Sequence, residues 1–97
     1  MALIHYDLTV GTAAVALTSV NGNKGILEMH IGSPVSTNAY VGKSGTSATS
    51  YGYVISAGSS GIPLKVGPFS GHAPLNTKEV YVAADGADVV HVLVVTH

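Results

Sequence analysis

Between Ile4 and Val10 the chain alternates apolar and polar residues one by one, with Ile4, Tyr6, Leu8 and Val10 on one side and His5, Asp7 and Thr9 on the other. That spacing belongs to an extended strand with one buried face, because successive side chains of a strand point to opposite faces. The same period of two recurs down the chain. Leu27, Met29 and Ile31 alternate with Glu28 and His30, Tyr51 and Tyr53 lead to Ile55, and Ile62, Leu64 and Val66 share a side. Val80 and Val82 form a further inward pair within a strand expected over Thr77–Ala83. Val15 and Leu17 mark a strand over Ala13–Val20; a helix is the alternative for Ala13–Leu17, and the β-branched Thr18 and Val20 weaken it. Asn38–Gly42 reads as one more short strand.

Turn chemistry separates these segments. Asn21-Gly22 and Asp85-Gly86 are hairpin signals, since a tight hairpin needs positive φ. Gly32-Ser33-Pro34 ends the third strand, and Pro63 marks a strand start or a sheet edge. Lys43–Ser50 and Gly67–Pro74 read as loops. The last segment, Asp88–Thr96, is apolar on both sides: Val90, Val92 and Val94 face one way, and Val89, His91, Leu93 and Val95 the other. Such a strand lies centrally in a sandwich or inside a subunit interface. About eight short strands at roughly ten-residue spacing predict an all-β, antiparallel, jelly-roll-like sandwich. The 97 residues make one domain, 1–97.

Charge narrows the function. Charged residues are 9% of the chain, against about 25% in an ordinary domain. Low charge suits a neutral β domain, and it suits still better a protein held in an assembly, because charge is depleted at interface cores. Without arginine the chain lacks bidentate readout of guanine or phosphate, and its four lysines are scattered, so nucleic acid is not an expected partner. The absence of cysteine excludes disulfides. The start carries no basic, apolar leader pattern, and no apolar run reaches the ~18 residues of a membrane span, so neither export nor a membrane partner is expected.

The chemistry-bearing residues do not form a catalytic pattern. His5, His30 and His91 fall in strands, but there is no His-x-His pair, and Glu28-Met29-His30 does not supply a zinc triad. No Gly-x-Ser-x-Gly elbow is present. Gly42-Lys43-Ser44-Gly45-Thr46 echoes a phosphate loop but lacks its upstream glycine and following helix. Asp85 and Asp88 flank a turn, where aspartate is expected on conformational grounds and a calcium role is weak. The tyrosines, Tyr40, Tyr51 and Tyr53 foremost, suit a core, an interface or a sugar-stacking groove. No enzyme, cofactor, metal or small-molecule substrate is expected.

Three stretches carry a resemblance: Ala39-Tyr40-Val41-Gly42-Lys43-Ser44-Gly45-Thr46-Ser47-Ala48-Thr49, then Gly61-Ile62-Pro63-Leu64-Lys65-Val66-Gly67, then Glu79-Val80-Tyr81-Val82-Ala83-Ala84-Asp85-Gly86-Ala87-Asp88-Val89-Val90-His91-Val92-Leu93. Together they resemble small virion proteins of tailed bacteriophages; Pro68–Pro74 departs from that pattern. The resemblance implies a capsid-decorating cement protein that bridges capsomers on the head shell, assembled in the host cytoplasm. Its partners would be the major capsid protein and further copies of itself, as a trimer. The interface is expected at Tyr40, Tyr51, Tyr53, Val90, Val92 and Val94. A tail or fibre module that binds a receptor or glycan is the alternative.

Overall fold

The computed structural model describes residues 2–17, 25–32, 37–56, 64–67 and 75–96. Among the described residues nine strands follow in order: β1 (Ala2–Val10), β2 (Val15–Ala16), β3 (Gly25–Ile31), β4 (Ala39–Gly42), β5 (Tyr53–Ile55), β6 (Leu64–Val66), β7 (Leu75–Asn76), β8 (Tyr81–Ala84) and β9 (Asp88–Thr96). They form two sheets. The larger runs β1-β9-β3-β6, with β7 also on β3, and the smaller runs β2-β8-β4-β5. Every pairing is antiparallel. With the two-residue β7 set aside, the pairing is nested from the chain ends inward: β1 with β9, β2 with β8, β3 with β6, β4 with β5. Nested pairing split over two sheets is the jelly roll, so the all-β sandwich expected from the alternation is the observed fold.

The core lies between the sheets. The larger sheet contributes Leu8, Val10, Ile26, Met29, Ile31, Val90, Val92 and Val94; the smaller contributes Val41, Ile55, Val82 and Ala84, with Leu17 and Val80 beside them. β9 is central, hydrogen-bonded to β1 along nine residues and to β3 on its other side. Its valines at 90, 92 and 94 are at most 2% exposed and belong to this chain's own core. Expected at an interface, they instead face the core in this single chain. The outward half of the strand is Val89, His91, Leu93 and Val95, one residue out of phase.

Three local readings change. In β3 the pairing slips between Ile26 and Glu28, so that Ile26 and Leu27 together oppose Thr96. This β-bulge inverts the alternation at one point. Ile26 is fully buried while Leu27 is only half-buried, where strict alternation puts Leu27 inward. Second, Thr77–Glu79 is a single 3₁₀ turn rather than strand. Glu79 reaches back to accept the Asn76 amide N–H at 3.3 Å, a local bond that competes with a ladder. Val80 and Val82 still face inward. Third, Asp85-Gly86 is not a hairpin: it carries the chain from β8 in one sheet to β9 in the other. Residues 18–20 of the second expected strand, the Asn21-Gly22 and Ser33-Pro34 turns, Ile62, Pro63 and most of the Gly67–Pro74 loop lie outside the described residues.

Candidate functional site

Two surfaces stand out. The first is the outer face of the larger sheet. The register aligns Leu3 with Val95, His5 with Leu93, Asp7 with His91, and Thr9 with Val89. On the far side of β9, Val95 meets Glu28 and Leu93 meets His30, which in turn faces Lys65 on β6. All three strand histidines thus share one face and surround Leu93. Leu3 is 68% exposed and Leu93 36%. Two carboxylates are tied down beside them: Asp7 Oδ1 lies 2.6 Å from His91 Nδ1, and Glu28 Oε2 lies 2.6 Å from His30 Nε2. The contacts become ion pairs only when the imidazoles are protonated, and the Asp7–His91 contact is too exposed to add much stability. Among the described residues no three metal-ligating groups converge. Glu28 and His30 were visible as a same-face pair in the sequence. The Asp7–His91 contact, between residues 84 apart, depends on the β1–β9 register.

The second surface is on the smaller sheet, where the tyrosines separate. Tyr40, expected at an interface, is 8% exposed in this single chain. Its ring stands outward from β4 over Ala83, its partner on β8, and its hydroxyl donates to the Asp85 carboxylate at 2.9 and 3.0 Å. Asp88 similarly accepts the Thr37 amide N–H at 2.9 Å. Both aspartates therefore hold the β8–β9 crossing against the start of β4. Tyr51 packs on Tyr40 with ring centroids 4.9 Å apart and planes tilted by 44°. Tyr53 instead pairs with Val41, an inward residue of β4. Tyr51 and Tyr53 are each nearly half exposed, with Val54 beside them, but the three tyrosines do not line one groove.

The bond to Asp85, the largest cause, together with burial, raises the ionisation of the Tyr40 phenol above its ordinary value of 10.0. A raised value means that the folded chain holds this proton more tightly than the unfolded chain does. The associated stability is complete below pH 10.0 and disappears as pH rises through the raised value. Tyr40→Phe keeps the ring and removes the donor. The variant is expected to melt at a lower temperature at pH 7 and to lose less stability between neutral and strongly alkaline pH. Parallel thermal melts with phenolate absorbance check both; equal alkaline losses in the two proteins would count against the assignment.

Beside Tyr51 the β4–β5 loop encloses a hollow of about 250 Å³, lined by Gly42, Lys43, Ser44, Thr46, Ser50 and Tyr51 together with Gly45 and Gly52. The loop closes on itself. Thr46 donates both its amide N–H and its hydroxyl to the Lys43 carbonyl, and Ser47 and Ser50 exchange amide–carbonyl bonds of 2.8 and 3.2 Å. A Cβ on Gly42 would stand 2.7 Å from Thr46 Oγ1 and 3.2 Å from the Gly52 nitrogen, so a side chain at 42 would crowd both the Thr46 hydroxyl and the Gly52 backbone. This feature was hidden in what reads as a phosphate-loop echo. Comparison with protein-family models, with curated proteins and with solved structures finds no match to this chain.

Proposed function

We propose that this chain is a non-catalytic structural protein of a tailed-phage virion, a cement protein that sits on the head shell, bridges capsomers and associates with two further copies of itself. The observation that carries the reading is the outer face of β1 and β9, where Leu3 and Leu93 stand exposed on two long strands paired with each other along nine residues. Apolar side chains on a flat, well-supported face, rimmed by polar groups, make a docking surface. The low charge of the chain and its resemblance to small phage virion proteins point the same way. Jelly rolls occur in viral capsid and lectin domains alike, so the fold supports the reading only by analogy.

The test uses head shells of the encoding phage assembled without this protein. The purified chain is expected to co-sediment with them and, alone, to show by light scattering a mass three times its 9.8 kDa. Leu93→Asp and Leu3→Asp place a charge on exposed positions, so both variants should keep the wild-type circular dichroism. Each is expected to weaken shell binding by roughly tenfold or more, as burying an unpaired carboxylate at an interface demands. A monomeric chain with no affinity for shells overturns the proposal; unchanged binding by both variants removes this face from it.

A further inference from the structure

The hollow beside Tyr51 combines features that the docking face does not use. Lys43 makes no ion pair among the described residues, and it is the one residue with a charged side chain among those lining the cavity. The Thr46 hydroxyl is committed to the loop, whereas Ser44 and Ser50 line the hollow with groups that can donate or accept. Tyr51 offers about half of its surface and is backed by Tyr40, itself anchored through Asp85. At about 250 Å³ the space is smaller than the ~300–1,000 Å³ of sites for drug-sized ligands. It suits a single ring and not a nucleotide.

The chemistry of the lining selects the class of ring. A rigid aromatic face suits the apolar C–H side of a pyranose. The serine hydroxyls match sugar hydroxyls. An unpaired lysine is a point charge that calls for an anion on the ligand, and a carboxylate is the anion a sugar ring can carry in the plane of its own substituents. A bare oxyanion would use Lys43 and leave Tyr51 idle; a neutral sugar would use Tyr51 and leave the ammonium idle. We infer that the β4–β5 hollow is a binding site for one acidic sugar residue, a hexuronate unit of a glycan, stacked on Tyr51 with its carboxylate on Lys43. The site is independent of the docking face, which lies on the other sheet.

The experiment is a titration of the isotope-labelled full chain, followed by amide NMR, with short oligosaccharides of glucuronate or galacturonate, matched neutral glucose oligomers, and sodium acetate. Saturable shifts confined to residues 42–52 with a uronate, and affinity at least tenfold weaker for the neutral oligomer, are the expected result. Tyr51→Ala should abolish the shifts, and Lys43→Met should erase the preference for the acidic sugar. The two variants fail separately if one of them disturbs the loop. Absence of shifts at 42–52 with either uronate overturns the inference. So do equal responses to acetate, which would make this a bare anion site, and saccharide binding that survives Tyr51→Ala. Leu93→Asp should bind the uronate as the wild type does even where shell docking is lost, which separates this inference from the preceding proposal.

Discussion

Gly67→Ala is expected to destabilise the chain by roughly 4 kcal/mol, a loss reached only by a short set of backbone and core mechanisms. Two costs coincide at this residue. Its φ is +93°, a region L side chains avoid, and forcing alanine there costs about 1–3 kcal/mol. A Cβ would also stand 2.5 Å from the Leu27 carbonyl oxygen and 3.1 Å from the Glu28 Cα, both of them backbone that cannot rotate aside. The position explains the crowding. Gly67 follows β6, whose Val66 pairs with Met29, so it lies against the β3 bulge at Leu27. With a melting shift of about 4–8 °C per kcal/mol in a domain this small, the transition should fall by roughly 15–30 °C. Two further glycines separate the costs. Gly45 has φ +91° but open space around its Cβ, so Gly45→Ala should lose only the conformational part, about 1–3 kcal/mol. Gly11 has open space and no positive φ, so Gly11→Ala should be neutral or stabilising by up to ~1 kcal/mol. Thermal melts of the three variants should rank 67 below 45 below 11; a Gly67→Ala melt equal to that of Gly45→Ala would remove the clash with Leu27 from the account.

What the sequence discloses about this fold is what a period of two can carry. It shows which residues alternate, and so the inward sides of β1, β8 and β9 follow from Leu8 and Val10, Val80 and Val82, and Val90, Val92 and Val94. It does not show which of two apolar sides is buried by the chain itself. On β9 both sides read as apolar, and only the pairing with β1 and β3 decides that 90, 92 and 94 close the core and that Leu93 is left outside. Nor does it show sheet membership. Asp85-Gly86 carries a hairpin signature, yet a jelly roll needs β8 and β9 in different sheets, and the side chains of Asp85 and Asp88 are used to clamp the crossing to Tyr40 and Thr37. The hollow was legible only as composition. Lys43–Ser50 reads as a polar loop, and the concavity there comes from backbone bonds such as Ser47 to Ser50 and Gly52 to Val41, which no residue type announces.

The bulge in β3 is the sharpest case, and it yields the second large effect. Strict alternation from Met29 and Ile31 places Leu27 in the core and Ile26 in solvent. The structure reverses the two, because Ile26 and Leu27 together face Thr96 and the strand takes an extra half-step. Ile26 is 0% exposed. Ile26→Ala would therefore remove three buried carbons at a site held on both sides, by Thr96 of β9 and Leu75 of β7. Large-to-small changes of this kind cost about 2–5 kcal/mol through lost transfer energy and the cavity left behind. Against a total stability of about 5–15 kcal/mol, that is a substantial part of what holds the domain folded. Leu27→Ala deletes a side chain that is only partly buried and should cost less, under ~1.5 kcal/mol. The pair discriminates cleanly between the two readings of the strand, since an unbulged β3 demands the opposite order. Urea unfolding of both variants, with matched m-values to exclude a change in the unfolded state, measures it directly. A larger loss for Leu27→Ala than for Ile26→Ala would restore simple alternation, and with it would go the crowding that makes Gly67 irreplaceable.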